Sequence, residues 1–162
     1  MEISSHLAIR LQYQHKALVD MIDDLSIEKI KIKPIAGKWS INENIVHLQC
    51  YQQYFIKRID EIMETDNPTF ERYHAADDPL FAQNCTRVVH EVMHDFFSVR
   101  KNLAARLMSF SREQLQRKGT HPYFGTLNIS EWINFFLLHE SHHLYTIFRL
   151  KAEIVHQPKK EK

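Results

Sequence analysis

The 162-residue chain has 21 basic and 20 acidic side chains, a formal net charge of +1, 44% apolar residues and 25% charged residues. This balance suits a globular domain with one core; it offers no basic patch for nucleic acid and no electrostatic pull toward an anionic membrane. No apolar run nears the roughly 20 residues of a membrane span, and Cys50 and Cys85, without zinc-type spacing or a signal peptide, read as thiols of a cytoplasmic protein.

In the first predicted element, Leu7, Leu11, Leu18, Met21, Ile22 and Leu25 recur at helical steps, which gives an amphipathic helix over residues 4–25. Residues 30–38 alternate apolar and basic side chains before Pro34 and Gly37 interrupt them, and are expected to be an extended connector. The second helix opens at Ser40, where Ser40 and Glu43 form the S-x-x-E capping box. Its stripe of Ile45, Leu48, Gln52, Phe55, Ile59 and Ile62 runs to residue 64, with Trp39 expected to pack on the bundle.

Pro79 suits the first turn of a third helix over residues 80–110, with Val88, Val92, Phe96, Val99, Leu103 and Leu107 as its buried face. Residues 111–127 are less regular, with a short turn at 112–116 and no convincing strand. Asn128 and Glu131 repeat the capping spacing, and a fourth helix runs to residue 155. The reading is therefore all-α: a four-helix bundle as one domain over residues 1–157, a solvated tail at 158–162, and connections of about 14 to 18 residues.

The eleven histidines need an explanation. Residues i and i+4 of a helix share a face about 6 Å apart along the axis, so two imidazoles at that spacing can chelate one ion. His90/His94 and His139/His143 both have it, although with eleven histidines one such pair is near chance. Both also match H-E-x-x-H, through Glu91 and Glu140, the pattern in which zinc proteases use the glutamate as general base. Neither match carries the further ligands of that motif.

Context separates the pairs. His90 and His94 lie off the main buried stripe, as on a solvated helix face. His139 and His143 sit among Trp132, Phe135, Phe136, Leu144, Ile147 and Leu150, where unpartnered histidines would be costly and a shared ion would satisfy them. His47, between Val46 and Leu48 on the second helix, is the best third ligand, and a hydrogen-bonded core histidine is the alternative for it.

The stretch Trp39-Ser40-x-x-Glu43-x-x-x-His47 resembles the first signature of the DinB-like/YfiT-like metal-binding four-helix bundles. His139-Glu140-Ser141-His142-His143 resembles the second, and Pro122-Tyr123-Phe124-Gly125 the aromatic-glycine segment before the last helix. The resemblance covers nearly the whole chain. It implies an up-down-down-up topology, frequent homodimers, and one divalent ion, zinc or nickel, held by His47, His139 and His143. It further implies activities such as S-transfer from a low-molecular-weight thiol to an electrophile, or thiol-dependent isomerisation. Where relatives often continue with an R-G-Q-type segment, Leu144, Tyr145 and Thr146 follow His143, so a pocket contact is missing or replaced.

Three neutral imidazoles leave a divalent charge uncompensated and a coordination position open, which suits activation of a thiol or of water. S-transfer is the leading expectation, with a metal-dependent hydrolase or a non-catalytic metal-binding and dimerisation module as alternatives. Glu140 is the candidate base for hydrolysis, otherwise a solvent-facing residue or one supporting a ligand. Glu43 is already used in its cap, His142 is expected beside the site or at the surface, and Cys50 is expected to be a small buried residue. Tyr13, Tyr51, Tyr123 and Phe124 are candidate pocket walls.

Overall fold

The computed structural model describes residues 3–156, so the predicted tail at 158–162 lies outside the described residues. The first long helix is divided into α1 (Ser5–Tyr13) and α2 (Ala17–Ile22) by a tighter 3-10 turn at Gln14–Lys16. At this turn His15 takes the core position between Leu11 and Leu18, against Phe96 and Phe97.

A short helix, α3 (Ile27–Lys31), takes up the first two residues of the connector expected over residues 30–38, because Ser26 caps it by accepting from Lys29 N–H and Ile30 is buried. The extended path begins only after it, and Gly37 turns it with φ +72°.

α4 (Ile41–Glu64) starts at the predicted capping box. Glu43 N–H donates to Ser40 Oγ, and Ser40 N–H donates to Glu43 Oε2 at 2.8 Å. The third predicted helix is two helices, α5 (Pro79–Cys85) and α6 (Val89–Met108), because Val88 is extended at ψ 127° and breaks the ladder. Of the expected face, Val92, Phe96, Leu103 and Leu107 are buried, but Val88 is exposed and Val99 only half-buried; Val89, Met93, Arg100 and Ala104 complete the buried side.

After α7 (Arg112–Gln116), an antiparallel hairpin, β1 (Lys118–His121) and β2 (Gly125–Asn128), occupies a stretch expected to lack strands. Gly119 permits it to lie against the bundle, since a Cβ there would stand 2.7–2.9 Å from Phe70 and Ile62. α8 (Ile129–His156) then follows, its first turn held by the reciprocal Asn128–Glu131 bonds.

Cross-helix pairs fix the topology. Gln12 meets Met108 and His15 meets Phe97, so α1 and α6 are antiparallel. Gln52 meets Phe96 and Asp60 meets Arg106, so α4 and α6 are parallel. Phe55 meets Phe136 and Arg58 meets Trp132, so α4 and α8 are antiparallel. The bundle is therefore up-down-down-up, as the resemblance implied.

The apolar core forms two clusters, one around Phe55, Leu107 and Trp132 and another around Leu18, Ile45, Val92 and Ile147. Between them lies a polar layer drawn from all four long helices. Arg100 forks onto Glu140 through both terminal nitrogens, and both side chains are at most 1% exposed. Gln52 Oε1 accepts from Arg100 Nε at 2.6 Å, and Gln14 Nε2 donates to Glu140 Oε1 at 2.9 Å.

A buried charge deprived of its partner is far costlier than the pair replaced as a unit. Arg100→Met alone should lower the unfolding free energy by about 3–5 kcal/mol. Adding Glu140→Leu should recover most of that loss in urea titrations, whereas additive losses would mean that the two groups act independently.

Candidate metal centre

The cap of α4 sets the site. Asn44 sits in its first turn, where Nδ2 donates to the Ser40 carbonyl at 2.8 Å. A carbonyl only accepts, so the amide orientation is fixed and Oδ1 is the end facing His143 Nδ1, 2.8 Å away. His143 Nδ1 must then carry the proton, leaving the Nε2 lone pair free for a metal.

One turn along α4, His47 brings Nε2 to 3.1 Å from His139 Nε2. One ring nitrogen from each of His47, His139 and His143 lies within 4.8 Å of the other two. Two ligands of one tetrahedral ion with metal–nitrogen distances of 2.0–2.1 Å stand about 3.3 Å apart, so the arrangement fits a shared divalent ion. The Nδ1 atoms of His47 and His139 are buried without a protein partner among the described residues. The cluster therefore has little hydrogen bonding to hold its shape, and three nitrogen donors are an apt set for a borderline ion.

Burial holds all three imidazoles well below their ordinary value: His47 to about 4, His139 to about 3 and His143 to about 2, each lowered mainly by desolvation and then by neighbouring histidines. All three are thus neutral ligands at pH 7. Aromatic rings wall them in: Trp39 lies 4.9 Å from His47 and stacks on His143, while the Tyr51 ring lies 3.9 Å from His139. Beside His143 opens a cavity of about 460 Å³ that Trp39, Asn44 and His142 also line.

The three predicted ligands are brought together, and the other candidates are not. His90 and His94 are exposed on α6, as their position off the stripe implied. Glu140 is neither solvent-facing nor aimed at the cluster; it is sealed in the pair with Arg100 and cannot serve as a base there. Glu43 is held in its cap and also by Lys33, and Cys50 is buried with its thiol pushed up to about 11 by burial.

Of the expected walls only Tyr51 faces the histidines; Tyr13, Tyr123 and Phe124 are exposed. Asn44 was missed, although a polar residue one turn into a capped apolar helix and three residues before His47 was the available signal. Tyr73, 5.6 Å from His47, comes from a loop with no periodic signal.

Two outcomes follow. Unfolded histidines titrate near 6.5, so between that value and the folded ones the unfolded state binds more protons and stability rises with pH. The metal-free protein should be most stable above pH 6.5 and lose stability as pH falls toward 4, by up to about 1.4 kcal/mol per pH unit for each histidine titrating; unfolding midpoints at pH 7 and 5 check this. Metal analysis should show near-unit loading, lowered at least tenfold in affinity by His47→Ala or Asn44→Ala and unchanged by His90→Ala with His94→Ala. Full affinity in His47→Ala would remove that residue from the site.

Comparison with known proteins agrees with this geometry. The chain is 32% identical over 143 residues to the uncharacterized protein YuaE of Bacillus subtilis (strain 168), covering 80% of this chain and 88% of YuaE. Its fold matches the solved structure of YfiT from Bacillus subtilis, described as a probable metal-dependent hydrolase with an unusual four-helix bundle topology. That match has a TM-score of 0.79 at 15% identity and covers 94% of this chain and 90% of YfiT. Residues 10–147 match the DinB superfamily, and with the bundle and its three-histidine cluster in place, the chain belongs to that superfamily.

Proposed function

We propose that this protein is a metal-dependent S-transferase that joins a low-molecular-weight thiol to an electrophile at His47, His139 and His143. The observation that carries the reading is the absence, among the described residues, of an available carboxylate beside the cluster. Glu140 is committed to Arg100, Glu43 to the cap of α4, and Asp78 to the Tyr73 hydroxyl at 2.8 Å. The Tyr51 and Tyr73 hydroxyls are pushed up by burial, Tyr51 to about 12, and stay protonated.

A divalent ion, zinc or nickel by the donor set, supplies Lewis acidity toward a bound thiol or water. Without a carboxylate base, the substrate must shed its proton readily: a coordinated thiol would lose it outright, whereas coordinated water would keep a pKa of about 7, which favours the thiol. In the reaction a sulfur–carbon bond forms, the leaving group departs with its electron pair, and the thiol proton passes to solvent.

Trp39 and Tyr51 exclude bulk water from the imidazoles, and Asn44 holds His143 in the coordinating tautomer. Homodimerisation is part of the same reading, supported by Leu138, Tyr145 and Phe148, all exposed on α8.

Cobalt-substituted protein should develop a thiolate-to-metal charge-transfer band on adding a small thiol, and His143→Ala should abolish it. Conjugation of that thiol to an electrophile should exceed the uncatalysed rate and need the metal. The description of YfiT supports hydrolysis as a second reading. A cobalt spectrum unmoved by thiols, together with metal-dependent cleavage of esters or amides, would establish it. If neither activity appears and metal removal only lowers the melting temperature, the ion is structural.

A further inference from the structure

We propose that the cavity beside His143 is an anion-selective pocket, which takes the part of the substrate that bears a carboxylate or another oxyanion. The proposal rests on the reading above for what reacts at the histidines, but its own ground is the charge and shape of the cavity. Its volume of about 460 Å³ is in the range of small-molecule sites. Trp39 forms one wall, Asn44 and His143 the buried floor, and Lys38, His142 and Arg149 contribute the cationic and titratable groups. Among the described residues no carboxylate lines it.

Nearby cations are neutralised: Lys33 pairs with Glu43, and Lys151 pairs with Asp24. Lys38 and Arg149 make no ion pair among the described residues. Two cations on one cavity with no internal counter-charge create a field that concentrates anions, and low-dielectric walls focus it.

Local structure puts them there. Gly37 turns the chain at positive φ, ahead of Lys38 and Trp39 and the cap at Ser40. Arg149 lies seven residues, two helical turns, beyond His142 on α8, and both line the cavity with His143. The Trp39 ring stacks on His143 and also reaches His47, which makes the indole a continuous wall from cavity to cluster. The ligand that fits is compact, with a short apolar stem against the indole and a negative group toward Lys38 and Arg149. Its reacting atom then lies toward the imidazoles.

Trp39 is also the reporter. Trp132 is fully buried, so collisional quenching at constant ionic strength reads Trp39. Relative to free tryptophan, iodide should quench about fivefold more effectively than caesium, the size expected from two exposed charges of modest strength. Lys38→Glu with Arg149→Glu should reverse the preference, and succinate or inorganic phosphate should protect against iodide, whichever does so better identifying the oxyanion.

In the cobalt protein, 3-mercaptopropionate should bind about fivefold more tightly than 2-mercaptoethanol, and the double variant should erase the difference. Equal quenching by iodide and caesium, or equal binding of two thiols that both coordinate, overturns the anion pocket. If no thiol moves the cobalt spectrum, the thiol reading fails and the quenching comparison, which needs neither metal nor thiol, decides the pocket.

Discussion

The constraint on which the site depends is the ion pair between Arg100 and Glu140, buried where the bundle's two apolar clusters meet. Desolvating a guanidinium and a carboxylate is costly, and only a well-matched fork with its remaining groups satisfied sustains it. Gln14 and Gln52 supply those groups, so each of the four long helices contributes one side chain to the layer. That requirement fixes the rotation of α8. Successive helical residues turn by 100°, so a Glu140 aimed at α6 carries His139 to one side of it, and His143, four residues on, returns close to the direction of His139. Both then face α4 and meet His47. The glutamate of this H-E-x-x-H has become the locking element of the helix, and the spacing that serves as a catalytic motif elsewhere serves orientation here.

The other half of the site is organised by a helix cap. A capping box is ordinarily a device for satisfying free backbone N–H groups. Here it also fixes where the Ser40 carbonyl points, and through Asn44 that carbonyl dictates which nitrogen of His143 bears a proton. A local signal at the start of α4 is thus transmitted across the bundle to a residue 99 positions later. Trp39, immediately before the cap, is carried with it onto His47 and His143.

The features legible in the sequence were those with local causes. The caps at Ser40 and Asn128, the stripe of α4 and the three histidines each rest on spacing within one helix, joined across the chain by two signature segments. What escaped prediction depended on partners distant in sequence. The break at Val88 leaves no Gly or Pro signal, so residues 80–110 read as continuous, and Val88 was placed on the buried face with Val92, Phe96, Leu103 and Leu107, which do lie there. His15 occupies an apolar slot between Leu11 and Leu18, which hid it from a periodicity of apolar residues. The hairpin was missed because its strands have four residues each, and its position depends on Gly119 fitting against Phe70 and Ile62. The burial of Glu140 was invisible because its partner, Arg100, lies 40 residues upstream.

Charge balance ties these observations together. A carboxylate ligand would partly neutralise a divalent ion, but the three donors here are neutral, and the nearest acids are held by Arg100, by the cap of α4 and by Tyr73. The protein therefore supplies no negative charge to the ion, and at the neighbouring cavity it adds two positive ones, Lys38 and Arg149. Electrostatic neutrality has to come from outside the chain. An anionic sulfur would supply one charge at the histidines, and an oxyanion on the same molecule would supply another at the rim. A neutral water molecule supplies neither until it has lost a proton, and among the described residues no carboxylate beside the cluster is free to take it. The commitment of Glu140 to Arg100 is what separates this H-E-x-x-H from that of zinc proteases, whose glutamate is free to act as base.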